Sequence, residues 1–270
     1  MIRENQPINY EAYKDILSLI KRLRREEWYR PFAFGKIVTT MLRQKGVPII
    51  EELGRAPLPT EFGDWIYVVF GDLAHGKQHE ALIYGNVLKN VLAHNILVRM
   101  HSSCRTSEIF HAINCECREQ LHSSMKLIQQ EGKGIIVYLD QEGRGNGMVG
   151  KLSQLNRMFG WKKRRIVQKK DSQTGEVIDT VKAYEESGYS SEARDFSVAG
   201  EILKTLGVRS VRLLTNNPQK IKGVESAGIE VTPVEIHITP SNEIVAMDLR
   251  SKARNLGHKI SEKHWKINKS

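Results

Sequence analysis

No apolar stretch in the 270-residue chain approaches the length of a bilayer span; the longest, such as Ile135 to Leu139, are the size of a buried strand. A membrane-spanning helix is therefore not expected. The opening residues Met1-Ile2-Arg3-Glu4-Asn5 are too acidic and polar for a secretory signal, so a cytoplasmic location is expected. Cysteine is scarce. Cys104, Cys115 and Cys117 are an odd set in one short stretch, which is not a disulfide framework and reads better as a metal site in a reducing compartment. Internal repeats and low-complexity tracts are also lacking. Positive charge is in excess: 41 Lys and Arg against 31 Asp and Glu leave a formal net charge of +10, which suits an anionic partner such as nucleic acid, an acidic membrane or a phosphorylated metabolite.

The apolar pattern divides the chain. From Tyr13, Ile16, Leu17, Ile20 and Leu23 follow helical spacing, a second helical piece covers Lys36 to Arg43, and Arg55-Ala-Pro-Leu-Pro59 reads as a linker. A small helical extension is thus expected over 1–56 and the main domain over 57–270. In the main domain strands are predicted at Trp65–Phe70, Ala81–Tyr84, Ile96–His101, Gly134–Asp140, Arg209–Leu214 and Ile229–Ile236. Helices are predicted at Glu119–Gln130, Met148–Phe159, Ala193–Leu206 (capped by Ser190 or Ser191), from Pro218, and at Glu243–Asn255. The polar, basic stretch from Gly160 to Ile178 reads as a hairpin or loop. Strands first, then alternating strand and helix, indicate a mixed α/β (α+β) domain with flanking helices.

Four places could carry chemistry. Cys104-x10-Cys115-x-Cys117 offers three thiols and no obvious fourth, which is the pattern of a catalytic metal with an open position; three buried apolar-like cysteines are the plain alternative. Gln141-Glu-Gly-Arg-Gly-Asn-Gly147 follows a predicted buried strand. Gly145, Gly147 and Gly150 formally match a dinucleotide fingerprint with Asp171 downstream, but a loop that lets a ligand approach the backbone fits better, and a surface turn is the plain reading. Arg194, read in the first turn of a helix, opposes the macrodipole, so it marks either a bound phosphate or a local ion pair with Glu192 or Asp195. Thr215-Asn-Asn-Pro-Gln-Lys220 joins a strand to a helix and suits either a phosphate or an Asn-capped helix with nothing bound. The basic run Trp161-Lys-Lys-Arg-Arg165 lacks any recognition-helix or zinc-finger pattern and reads as a solvated loop, so no nucleic-acid partner is expected.

In this order the motifs resemble GTP cyclohydrolase II, which opens the guanine ring in the first step of riboflavin synthesis. The likeness runs from about Pro57 to Ile260. It rests on Arg99-Met-His-Ser-Ser-Cys104, Cys115-Glu-Cys117-Arg-Glu-Gln120, Gln141-Glu-Gly-Arg144, Arg194-Asp-Phe196, Arg212-Leu-Leu-Thr-Asn-Asn-Pro218 and Leu256-Gly-His258. The resemblance implies that Cys104, Cys115 and Cys117 hold one zinc ion per chain. It implies that Arg99, Gln120, Glu142, Gly143, Arg144, Thr180, Thr215 and Lys220 bind GTP. Arg194 matches the arginine assigned as nucleophile toward the α-phosphate, and Glu192 stands at the family's proton acceptor. Magnesium on the triphosphate, release of formate and pyrophosphate, and a homodimer are implied as well.

The departures from the pattern matter. Glu192 stands where the family usually has Asp, Ser103 where an acid precedes the first cysteine, Arg118 where glycine follows the last, and Asp140 where a basic residue precedes Gln141. Leu155 replaces a tyrosine expected to face the ring being opened, which removes a proton donor or water-orienting group. Three readings follow: a zinc hydrolase acting on GTP, with a variant that stops at a formylated pyrimidine or feeds another pathway; a homologue kept for nucleotide binding; and a nicotinamide-dependent oxidoreductase using the glycine loop.

Overall fold

The computed structural model describes Ser18 and residues 49–87 and 92–265. The helical readings at 13–23 and 36–43 lie outside these residues. Among the described residues there are nine strands: β1 (Ile50–Thr60), β2 (Gly63–Asp72), β3 (Lys77–Tyr84), β4 (Ile96–Ser102), β5 (Gly134–Leu139), β6 (Phe159–Lys162), β7 (Arg165–Gln168), β8 (Ser210–Leu214) and β9 (Glu230–Val234). The helices longer than one turn that lie wholly within those residues are α1 (Cys117–Glu131), α2 (Gly147–Met158), α3 (Thr180–Glu186), α4 (Ser197–Thr205), α5 (Pro218–Glu225) and α6 (Glu243–Leu256). Seven strands form one sheet in the order β1-β2-β3-β5-β4-β8-β9. The β1, β2, β3 and β5 neighbours are antiparallel, whereas β5-β4, β4-β8 and β8-β9 are parallel. The mixed α/β class expected from the pattern is what is found.

Local chemistry explains the elements. The Gly134-Ile-Ile-Val-Tyr-Leu139 run is a central strand covered on both faces, as parallel strands with crossover helices must be. On β4, Val98 and Met100 face the core under α4 (Val198, Ala199, Ile202, Leu203), while Leu97 faces the smaller core under α1 (Met125, Ile128). Asn217 caps α5 by accepting from the Gln219 N–H at 2.8 Å, with Pro218 at the first helical position. Asn242 caps α6 in the same way.

Two readings need correction. Arg55–Pro59 is no linker but the interior of β1, paired residue by residue with β2, so residues 50–56 continue into the main sheet. Pro57 and Pro59 are tolerated because β1 is an edge strand, where a missing N–H costs no ladder bond. The helix expected from Ala193 begins only at Ser197, since Ala193 N–H is drawn to the Arg144 carbonyl at 2.9 Å and Asp195 Oδ1 accepts from the Ser197 N–H at 2.9 Å. Ser190 and Ser191 are therefore not its cap, and Arg194 lies in an extended approach to α4. The basic stretch after Gly160 is a hairpin, β6–β7, in a sheet of its own. Its turn residues Lys163 and Arg164 have φ of 47° and 61°.

At the β2–β3 turn, Asp72 is 2% exposed. It accepts from His75 Nδ1 at 2.6 Å and His79 Nε2 at 3.3 Å, the latter in the tautomer fixed by the Asp140 N–H donating to His79 Nδ1. Burial alone would raise the Asp72 pKa, but the two histidines hold it well below the usual range. Burial would lower that of His75, but Asp72 raises it. The Asp72 contribution is lost as pH falls through its depressed value. The His75 contribution is complete below the unfolded pKa near ~6.5 and is lost as pH rises through its elevated value. Asp72→Asn is expected to cost about 3 kcal/mol in urea unfolding at pH 5.5, as for a broken buried pair, and less at pH 8.5.

Candidate active site

The carboxyl ends of the parallel strands β4, β5 and β8 open on one side of the sheet, where α/β folds place ligands. The segment after β4 carries Cys104, then a single turn (Arg105–Glu108), and reaches Cys115 and Cys117 at the start of α1. Glu108 ties this loop down. Its Oε1 accepts from the Cys104 N–H at 3.1 Å and from His101 at 2.7 Å, and its Oε2 from the Tyr138 hydroxyl at 2.6 Å. Burial lowers the His101 pKa, so the ring is neutral. The three sulfurs lie within 4.8 Å of one another, with Cys104 Sγ and Cys115 Sγ 3.7 Å apart. Tetrahedral thiolates at a Zn–S length of ~2.3 Å stand roughly 3.8 Å apart, so the set fits a borderline-soft divalent ion. The donor chemistry agrees. Thiols packed this closely do not all ionise alone: hydrogen bonding with Cys104 pushes Cys115 up to about 12 and Cys117 well above its ordinary value. A cation bound among them removes that obstacle.

The glycine loop follows β5. Both Glu142 oxygens are held by backbone, the Gly143 N–H at 2.9 Å and the Arg105 N–H at 2.7 Å, and burial raises its pKa. Arg144 sits at φ 55° and donates to Thr180 Oγ1 at 2.7 Å and the Ser191 carbonyl at 3.3 Å. The dinucleotide reading does not survive. Helix α2 leads into the separate β6–β7 hairpin rather than the next parallel strand, and Asp171 is occupied by the N–H groups of Gln173 and Thr174 and by Lys182 at 2.9 Å.

Gly145 fits against the segment that carries Arg194. A Cβ there would come within 2.5 Å of the Ala193 carbonyl oxygen and 2.8 Å of the Arg194 nitrogen, at a φ of +87°. Gly145→Ala must therefore displace Arg194. Its GTP turnover is expected to fall about 100-fold, as for a ~1 Å misplacement, with the far-ultraviolet circular dichroism unchanged.

Arg194 donates through Nε to Glu192 Oε1 at 2.7 Å and through Nη2 to Glu192 Oε2. Burial would lower its pKa, but Glu192 raises it and keeps the guanidinium charged. Lys220, from α5, donates to the Met100 carbonyl at 2.9 Å; burial, then Arg99 and Arg194, push its pKa well down. Arg99 donates to the Leu214 carbonyl at 2.9 Å and to Gln120 Oε1 at 2.6 Å, with burial lowering its pKa to about 10.

One cavity gathers nearly all the residues singled out in the sequence. Arg99, Cys104, Cys115, Cys117, Gln120, Glu142, Gly143, Arg144, Thr180, Arg194, Thr215 and Lys220 all line it. Glu192 stands behind Arg194 rather than on the wall. Leu155, expected to face the reacting ring, is not among the lining residues; its neighbours Lys151 and Gln154 are. Sequence reasoning missed Glu116, Lys151, Asp248 and Lys252, and assigned no role to His258, although all five line the cavity. Six cations (Arg99, Arg144, Lys151, Arg194, Lys220, Lys252) face three carboxylates (Glu116, Glu142, Asp248) there. Among the described residues, Arg99 Nε, Ser102 Oγ, Ser103 Oγ, Gln141 Oε1 and His258 Nε2 are buried on this wall with no protein partner. Unpaired polar atoms concentrated on one wall mark a ligand surface.

Fold and site together define a mixed α/β domain with a three-thiol cluster that could hold a metal ion beside a wall rich in Arg and Lys. A model of the family described as GTP cyclohydrolase II matches residues 51–235. The chain is 36% identical over 208 residues to the GTP cyclohydrolase-2 of Buchnera aphidicola subsp. Acyrthosiphon pisum, covering 77% of this chain and 97% of that one. It is 36% identical over 223 residues to the riboflavin biosynthesis protein RibBA of Endomicrobium trichonymphae, covering 82% and 50%. With the RibBA of Parabacteroides distasonis the identity is 39% over 213 residues, covering 78% and 47%. The chain thus spans about half the length of the RibBA relatives. It belongs to the GTP cyclohydrolase II family.

Proposed function

We propose that this protein is a zinc-dependent hydrolase that opens the imidazole ring of GTP. It releases formate and pyrophosphate and leaves 2,5-diamino-6-(5-phosphoribosylamino)pyrimidin-4-one for riboflavin synthesis. The observation that carries this reading is the convergence of three thiols and six cations on one cavity in a member of this family. The cations match a triphosphate and the thiols a metal placed beside its base. Cys104, Cys115 and Cys117 would hold the zinc ion, which would supply a Lewis acid able to lower the pKa of bound water from 15.7 to about 7 in favourable sites.

The chain's own residues do the rest. Arg99, Arg144 and Lys220 hold the nucleotide, and magnesium bound to the triphosphate would offset its remaining charge. Arg194, locked by Glu192 and unable to lose its proton, stabilises charge developing at the α-phosphate as pyrophosphate leaves. This electrostatic role suits the geometry better than nucleophilic attack by a guanidinium. Buried Glu142 and Gln141 border the sulfurs and present polar atoms to the base. A cytoplasmic homodimer goes with this reading; among the described residues no helix is long and apolar enough to cross a membrane.

A second reading, that the reaction stops after the first hydrolysis at a formylated pyrimidine, comes from the leucine at 155 where a tyrosine was expected; it is weakened by Leu155 lying off the cavity wall. Incubation with GTP and magnesium, with separate assays of formate and pyrophosphate and product masses, distinguishes the two. One formate per pyrophosphate supports full ring opening. Pyrophosphate without formate supports the shorter reaction, and turnover of neither defeats both.

A further inference from the structure

An unbroken chain of buried and part-buried polar contacts joins two arginines on the cavity wall. Arg99 donates to Gln120 Oε1 at 2.6 Å, and Gln120 Nε2 donates to Glu116 Oε1 at 2.9 Å. Lys252 Nζ donates to that same Glu116 oxygen at 2.7 Å and to Asp248 Oδ2 at 2.7 Å. Thr180 Oγ1 donates to Asp248 Oδ1 at 2.8 Å and accepts from Arg144 at 2.7 Å. Among the described residues, Lys252 is the one link between the halves of this chain. It and Asp248 come from α6, which lies wholly beyond the span 51–235 matched by the family model.

On an exposed helix an Asp-Lys pair four residues apart is a weak surface contact. Here Asp248 is 3% and Glu116 2% exposed, and the Lys252 side chain 16%. Burying one ammonium between two carboxylates is poor value as stability, because desolvation offsets most of the attraction. Its use is geometric. Glu116 stands between Cys115 and Cys117, so its anchor also bears on the thiol loop.

We propose that Lys252, with Asp248, is a positioning residue that holds Glu116, Gln120 and Arg99 in register with Thr180 and Arg144. This rests on the cyclohydrolase reading for its reaction. The C-terminal helix is on this view part of the catalytic unit.

The test is a double-mutant cycle in kcat/KM for GTP. Lys252→Met is expected to lower kcat/KM about 100-fold. Lys252→Arg, which keeps a cation between the carboxylates, recovers at least ~10-fold of that loss. Arg144→Lys is expected to cost roughly 10-fold or more less in the Lys252→Met background than alone, because the contact it weakens is already misplaced. Costs that simply multiply overturn the proposal, since a general loss of stability would multiply with any active-site change. If Lys252→Met does not fold, Asp248→Asn carries the same cycle. The cycle is repeated on GDP binding by calorimetry. A wild-type protein that never opens GTP then defeats the cyclohydrolase reading alone, whereas no coupling in GDP affinity defeats the positioning role.

Discussion

Cys115→Ser is expected to reduce ring opening about 1,000-fold and to lower the metal content below one ion per chain. Serine is nearly the same size, so the 9%-exposed site keeps its packing. Its hydroxyl, however, does not ionise near neutral pH and is a poor ligand for a borderline-soft cation. A bound ion contributes several kcal/mol of transition-state stabilisation, and each ~1.4 kcal/mol is tenfold in rate, which sets the size of the loss. Elemental analysis beside formate release checks it. Cys104 and Cys117 are expected to behave alike, since all three sulfurs share one 4.8 Å cluster. An unchanged rate in any of the three variants removes the metal from the mechanism.

Arg194→Ala is expected to lower the rate of GTP turnover 100- to 1,000-fold, roughly the cost of one preorganised charge at a developing anion. It has a second consequence. Burial raises the Glu192 pKa, and Arg194, with a smaller contribution from Arg144, brings it below the ordinary value. Without the guanidinium the carboxyl rises, so the variant's residual activity is expected to lose its acidic limb at higher pH than the wild type. Arg194→Lys should restore little, because an ammonium cannot bond both Glu192 oxygens in the forked geometry seen here. Rate–pH profiles of the three proteins decide the matter. A Lys variant with wild-type turnover would falsify the role of the fork.

Much of the fold was legible because its central strands are unusual strings. Gly134–Leu139 is apolar on both faces, and Ile96–Met100 is an apolar run broken only by Arg99. β1 was not legible: most of its residues are exposed and two are proline, so neither alternation nor composition marks it. Only pairing with β2 makes it a strand. The start of α4 was misread for a similar reason. Residues 193–196 have acceptable helix composition, but a carbonyl about 50 positions earlier, that of Arg144, claims the Ala193 N–H. In the site, Arg194 drew notice because its charge looked misplaced on a helix end; the structure shows it off the helix and paired with Glu192.

The order of chemical groups along the chain, with three thiols, a glycine loop, an arginine and a lysine after a strand, was set by the sequence alone, and with it the family. What belongs to the tertiary structure is convergence. No pattern in the sequence marks Lys252 or Glu116. They meet at 2.7 Å across 136 positions because the carboxyl ends of parallel strands bring their loops to one place. Periodicity and composition report which face of an element is buried, but not which distant groups share that burial.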